Sequence, residues 1–246
     1  MLNGIDVSSH NDYPFNAITE AGYRTSDFVI VKATQGTSYI NPYCDKAVQR
    51  CINDGKLWGF YHYASGGNPE SEAEYFYNQT KNYTGKGIPA LDWESIQNRA
   101  WGNTTWCKRF VDRYYQLTKV YPLIYIQASS INQAANCSDK CGLWVASYQS
   151  KLTWNLYPWQ TYTVWQYTSS NGKLDKNKAN LTKEAWLKIA QGNRNASDKT
   201  DNSELDKALE VIARAVIAGK FLNGSARKNM IYEAVQKKVN ELLKEK

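Results

Sequence analysis

Seven short apolar runs punctuate the first three quarters of the chain: Gly4–Ser8, Phe28–Thr34, Trp58–Tyr63, Ile88–Glu94, Leu123–Gln127, Leu143–Ala146 and Val164–Tyr167. Helical patterns lie between several of them. Tyr43–Asp54 is closed by Gly55, Glu70–Tyr83 is opened by Asn68-Pro69 as cap and first turn, and Thr104–Tyr121 is ended by Pro122. A strand followed by a helix, recurring at intervals of roughly 25–30 residues, favours a parallel sheet of the α/β class. This many units favour a closed barrel over an open sheet. In such a barrel the functional side chains gather at the C-terminal ends of the strands.

The fourth run carries Ala90-Leu91-Asp92-Trp93-Glu94. Side chains alternate along a strand, so Asp92 and Glu94 share one face and Leu91 and Trp93 the other. Ionised carboxylates on a buried face are costly, and two close together push their pKa values apart. One can then donate a proton while the other stays charged, which is what glycosidic bond cleavage requires. A solvated edge strand, or a carboxylate satisfied by Arg or Lys, would explain the tripeptide equally well taken alone. Its neighbours decide the matter. Asp6 lies near the end of the first run, Lys32 of the second, Tyr61 and Tyr63 of the third, and Tyr125 and Gln127 of the fifth. Independent strands thus deliver acids and aromatics to one rim.

At 246 residues the chain can hold one large domain and a small appendage. It has 9 Trp and 18 Tyr against 6 Phe, an excess of rings that join a flat apolar face to a hydrogen-bonding tip and so suit sugars as well as cores. The net charge of +7 is spread among acids rather than gathered in a basic tail. That argues for diffuse attraction to an anionic polymer and against nucleic acid. Five cysteines leave at least one unpaired. Cys44 and Cys51 are about 10 Å apart along a helix, too far to bridge, while Cys137 and Cys141 flank a turn and could pair. The chain opens with no leader-like segment and contains no apolar run of spanning length. Synthesis in a cytosol without a standard export signal, and no membrane insertion, are the expectations.

Composition changes after Gln191. Residues 192–203 are polar and turn-rich and read as a linker, leaving residues 1–191 as the catalytic domain. Beyond it, Leu205, Leu209, Ile212, Val216 and Ile217 mark one helical face, and Ile231, Val235, Val239, Leu242 and Leu243 mark another. With a short segment at Ser225–Met230 between them, residues 204–246 read as a small three-helix bundle. A helix pair serving oligomerisation is the alternative.

The segments Gly4-Ile5-Asp6-Val7-Ser8, Val31-Lys32-Ala33-Thr34-Gln35-Gly36, Gly59-Phe60-Tyr61-His62-Tyr63, Leu91-Asp92-Trp93-Glu94 and Trp165-Gln166-Tyr167 resemble the successive signatures of the glycoside hydrolase family 25 lysozymes. These Chalaropsis-type muramidases are common among phage endolysins. The resemblance implies an irregular, flattened β/α barrel and cleavage, with retention, of the β-1,4 bond from N-acetylmuramic acid to N-acetylglucosamine in peptidoglycan. It casts Glu94 as general acid/base and Asp92 as the carboxylate that orients the 2-acetamido group. Asp6 becomes a nucleophile or electrostatic group, and Asp175, in Leu174-Asp175-Lys176-Asn177, the fourth acid. Lys32, Tyr61 and Tyr125 match substrate-lining positions, and Tyr63 and Trp165 are assigned to substrate binding with them. Gln35 departs from the Glu of many members and is not counted as catalytic. The tail, through Val211–Lys220, Asn223-Gly224, Arg227 and Tyr232–Leu243, resembles a CW_7 cell-wall-binding repeat, which would tether the catalytic domain to its polymer. Release through a holin-made pore would suit a phage lysin.

Three rivals remain. A metal-dependent hydrolase would use His10 and His62 with Asp6, Asp92 and Glu94, but no His-x-His or His-Glu-x-x-His spacing is present, and no metal or other cofactor is expected. A non-catalytic glycan-binding barrel would keep the aromatics and not need the full acid set. An N-acetylglucosaminidase would cut the alternate bond of the same polymer.

Overall fold

Phe28, Val29, Ile30 and Val31 are all buried. A strand buried on both faces belongs in a sheet covered on both sides. In the computed structural model of the protein, which describes residues 1–193, that sheet closes on itself. Its strands are β1 (Leu2–Val7), β2 (Phe28–Gln35), β3 (Tyr39–Ile40), β4 (Leu57–Tyr63), β5 (Ile88–Asp92), β6 (Leu123–Gln127), β7 (Leu143–Ala146), β8 (Val164–Thr168) and β9 (Asp175–Ala179). The spatial order is β1-β9-β8-β7-β6-β5-β4-β2, with β1 pairing back onto β2 and β3 hanging on β2 as a short hairpin. The result is a closed eight-stranded barrel. Seven strands run parallel, while β9 is antiparallel to both β1 and β8.

Five helices pack outside or beneath the strands: α1 (Ala17–Thr25), α2 (Cys44–Asn53), α3 (Pro69–Thr80), α4 (Trp106–Thr118) and α5 (Lys183–Gln191). Side chains of Asn16, Asn68 and Thr182 cap α1, α3 and α5 by accepting from backbone N–H groups two or three residues into the helix. Pro69 takes the first turn of α3, as its sequence predicts. Helix α4 is shorter than the predicted Thr104–Tyr121, because Lys119 adopts a left-handed conformation (φ +58) and ends it. No helix joins β7 to β8. The β6–β7 connection holds only a 3-10 stretch, Ala128–Cys137, so the barrel departs from regular β/α repetition.

Two apolar layers follow from strand alternation. Ile5, Val31, Phe60, Leu91, Ile124 and Val145 face the helices and meet Val48, Phe76 and Phe110. The alternate residues Ile30, Leu57, Ile88, Leu123, Trp144 and Val164 fill the barrel interior. Gly4 is needed on β1 because a Cβ there would enter the Phe28 ring. Helix α5 closes the bottom of the barrel. Its Trp186 is fully buried, lies 4.7 Å from the Phe28 ring and donates from Nε1 to the Trp58 carbonyl at 3.1 Å.

By its contacts the chain divides into two compact units, Met1–Arg194 and Asn195–Lys246. The three-helix bundle expected over 204–246, its use in oligomerisation and most of the 192–203 linker lie outside the described residues. Gly192 and Asn193 belong to the folded unit rather than to a linker. Gly192 (φ +61) ends α5, and Asn193 N–H donates to the Lys119 carbonyl at 2.9 Å. Cys137 and Cys141 are not paired; all five cysteines are free and buried.

Replacing Trp186 removes the plug and leaves a cavity between α5 and the strands. Trp186→Ala should cost about 3–5 kcal/mol of stability. Leu187→Ala, on the exposed side of the same helix, should stay within about 0.5 kcal/mol of wild type. Equilibrium denaturant unfolding followed by circular dichroism reads both.

Candidate active site

The mouth of the barrel holds a cavity of about 330 Å³ at the C-terminal ends of the parallel strands. Asp6, Asp92, Glu94 and Asp175 line it, together with Lys32, Tyr61, Tyr63 and Tyr125. Asp175 reaches the same rim for a different reason from the others. Strand β9 runs antiparallel, so its first residue stands where the parallel strands end, and Asp175 pairs in register with Asp6.

Trp165 does not join them. On β8 the inward residues are Val164 and Gln166. Trp165 therefore points outward, donates from Nε1 to the Ser147 carbonyl at 2.8 Å, and lies 5.7 Å from the Lys178 ammonium. Gln166 faces the cavity in its place. Gln127 also stays out of the cavity, exposed and bonded to Ser130. His62, grouped with the acids in the metal reading, sits on the helix-facing side of β4. Its Nδ1 meets Thr34 Oγ1 at 2.8 Å, its Nε2 meets Glu72 at 3.0 Å, and it stacks on Phe110. Among the described residues no cluster of His, Cys, Asp and Glu is arranged to hold a metal ion.

Gln166 and Asn177 are the residues that sequence reasoning passed over. Both donate to Asp6 Oδ2, at 3.0 and 2.6 Å. The orientation of Asn177 is forced. Indole N–H is only a donor, and Trp144 Nε1 bonds Asn177 Oδ1 at 2.8 Å, so the Asn177 amide group must turn toward Asp6. Gln166 Oε1 accepts from the hydroxyls of Tyr125 and Tyr148, each at 2.9 Å. The available signal was strand parity. Alternation starting from apolar Val164 makes Gln166, not Trp165, the inward residue.

Gln35 also enters the cavity, through a bulge. Lys32 pairs with Tyr61 on β4, but Thr34 pairs with His62, so the register shifts across Ala33. Ala33 packs among the helix-facing residues and Thr34 bonds His62 on that same side, which returns Gln35 to the inside. There Gln35 Oε1 accepts from Lys32 Nζ at 2.7 Å, and its Nε2 donates to Gln97 at 2.9 Å.

The electrostatics follow from four carboxylates facing one ammonium. Burial, and then repulsion from Asp175, carries the Asp6 carboxyl up to about 8 despite its two amide donors. Burial raises Asp175 to about 6. Asp92 lies well above the ordinary carboxylate range because it is buried and next to Glu94, with Lys32 pulling the other way. Burial and Asp175 raise Glu94 too, and Tyr125 and Lys32 oppose them. The Lys32 ammonium lies 4.3 Å from the Tyr63 ring. Asp92 Oδ1 is buried and has no hydrogen-bond partner among the described residues. A strong acceptor site is thus held open toward the cavity, beside a carboxyl group whose affinity for its proton burial has raised.

Residues 5–175 match the model of glycosyl hydrolases family 25, and residues 210–243 match that of the CW_7 repeat. The lysozyme of Streptococcus phage Cp-7 is 29% identical over an alignment covering 97% of this chain and 69% of its own. The N,O-diacetylmuramidase of Chalaropsis sp is 29% identical across 74% of this chain and 98% of its own. A family GH25 lysozyme from Aspergillus fumigatus superposes with a TM-score of 0.65 at 26% identity, covering 78% of this chain and 99% of that one. The matched span takes in every acid of the cavity, from Asp6 to Asp175, and this chain is a glycoside hydrolase that belongs to glycosyl hydrolases family 25.

Proposed function

We propose that the protein is a muramidase that hydrolyses the β-1,4 bond between N-acetylmuramic acid and N-acetylglucosamine in bacterial peptidoglycan, with retention of configuration and with help from the substrate's own acetamido group. The observation that carries this reading is the open Asp92 Oδ1. It is a buried acceptor with no donor among the described residues, set beside a carboxyl group raised in pKa. An N-acetyl sugar supplies the missing donor through its amide N–H.

In the first step Glu94 gives its proton to the glycosidic oxygen, and the bond from that oxygen to the anomeric carbon breaks. The acetamido oxygen closes onto the anomeric carbon, while Asp92 Oδ1 accepts from the amide N–H and so orients the attacking group. In the second step Glu94, now a carboxylate, takes a proton from water. The water oxygen attacks the same carbon and the ring opens, which restores the acetamide and the configuration. Asp6 argues for this route over direct attack. With two amide donors on Oδ2 and a carboxyl that titrates near 8, it holds a proton at neutral pH, and a protonated carboxyl is a poor nucleophile.

The likeness to the Cp-7 lysozyme, which spans almost the whole chain, supports a phage endolysin, and the CW_7 match supports anchoring to the wall. In that reading the enzyme accumulates in the host cell and reaches the wall once the membrane is opened. Among the described residues no helix is long and apolar enough to cross a membrane.

Digestion of purified peptidoglycan, followed by borohydride reduction, should yield reduced muramic acid at the new ends. Reduced glucosamine would instead identify a glucosaminidase, and no new ends would identify a non-catalytic barrel. Glu94→Gln should lower turnover by about two to four orders of magnitude. Asp92→Asn should lose a similar factor on intact wall and little more on wall whose amino groups have been deacetylated, because both changes remove one interaction. Independent, multiplying losses would instead point to direct attack by a carboxylate. Asp6 keeps its proton to about pH 8 in the fold and to about 3.8 when unfolded. Its stabilising contribution is therefore complete below about 3.8 and lost as pH rises through about 8. Asp6→Asn should be more stable than wild type by about 0.5–2 kcal/mol at pH 8, with the gap closing toward pH 4. Denaturant midpoints measured across that range check the sign.

A further inference from the structure

A second cavity, about 780 Å³, opens beside the catalytic one. The two share His10, Lys32, Gln35 and Gln97 as walls, so the hydrogen-bonded amides of Gln35 and Gln97 form a sill between adjoining compartments. The chemistry changes across that sill. The catalytic side is walled by Tyr61, Tyr63, Tyr125, Trp144 and Tyr148. The second cavity has no Trp or Phe and one Tyr, Tyr39, whose hydroxyl is already bonded to Ser9 Oγ at 2.9 Å. Most of its other walls are hydroxyls and amides, such as Thr37, Ser38, Asn68 and Ser71, and Arg99 lines it as well.

No carboxylate among the described residues pairs with the Arg99 guanidinium. Glu72, the acid in this cavity, is committed elsewhere. It accepts from the N–H groups of Ser65 and Gly67, at 3.0 and 2.6 Å, and meets His62 Nε2 at 3.0 Å. Those bonds fix the loop on which Arg99 rests. Arg99 N–H donates to the Ser65 carbonyl at 3.1 Å, and Gly66 (φ +72) lets the two segments touch where a Cβ would strike Ala100 N. The cavity therefore presents the Arg99 guanidinium, on a backbone anchored to Ser65, among hydroxyl and amide groups, with the Lys32 ammonium at the shared wall. This composition suits a flexible branch rich in amides and carboxylates better than another pyranose ring, which favours flat aromatic faces.

We infer that this cavity binds the peptide stem carried by the muramic acid residue, with Arg99 accepting a stem carboxylate in a charge-assisted pair. The inference rests on the muramidase reading. It makes the enzyme selective for glycan that still bears its peptides.

The test uses the full-length chain and two glycans, both freed of phosphate polymers by acid: one with its stem peptides and one stripped of them by an amidase. Wild type should show a KM about 5–20-fold lower for the peptide-bearing strand. Arg99→Gln should abolish that difference while leaving kcat and the bare-strand KM unchanged, and Arg99→Lys should keep part of it. The bare-strand rate also reports that the variant is folded. Equal wild-type KM values for the two strands would overturn the inference, as would an Arg99→Gln variant that still prefers the peptide-bearing strand. An equal loss on both strands would assign the cavity to sugar instead. Cleavage of neither strand by wild type would remove the muramidase reading and this inference with it.

Discussion

The ladder between β1 and β9 is the constraint on which the rest of the site depends. Without an antiparallel last strand the parallel sheet would close some other way or stay open. With it, Asp175 stands opposite Asp6, Asn177 turns inward to bond Asp6, and Lys178 is left outside over Trp165 and Tyr167. One strand thereby supplies an acid to the rim, an amide to orient a second acid, and the closure of the barrel. The network then spreads through neutral partners, from Trp144 to Asn177 to Asp6 to Gln166 to Tyr125 and Tyr148. Each member has a defined donor or acceptor role, so the acids are positioned by groups that do not change charge.

That neutrality has an energetic meaning. Four carboxylates share one cavity with one ammonium, and burial disfavours the charged form of each. The fold therefore holds protons that the unfolded chain would release at neutral pH. A site arranged in this way is stabilised when its charges are removed and useful only when some of them are kept, a common tension between stability and activity. The same burial raises the proton affinity of Glu94 and leaves Asp92 Oδ1 without a hydrogen-bond donor among the described residues.

The strands that form the barrel were legible in the sequence because they are apolar, β-branched or aromatic, and bounded by turn residues. Asp92 and Glu94 were legible because alternation inside such a run places both on one face. Strand β9 was not. Asp-Lys-Asn-Lys-Ala has no apolar run, and its inward residues include an acid and an amide whose burial makes sense only once Asp6 and Trp144 are across from them. The assignment of Trp165 failed on parity alone, since Trp and Gln stand side by side and only the register of β8 decides which faces in. Gln35 was hidden by the bulge at Ala33, which shifts the side every later residue of β2 faces. The second cavity left no mark at all, because its walls come from four separate segments and consist mostly of serine, threonine and amide side chains, which are common in any loop.

The five buried thiols bear on how long such an enzyme lasts. Folded, they are inert: burial raises the pKa of Cys107 and Cys141 far above neutrality and keeps oxidants away. No crosslink limits how far the chain opens when it does unfold, and five ordinary thiols are then free to pair in combinations that the barrel cannot accommodate. In an oxidising medium each unfolding event therefore tends to be final. The working lifetime there is set by how fast the barrel opens rather than by how much it favours the closed state.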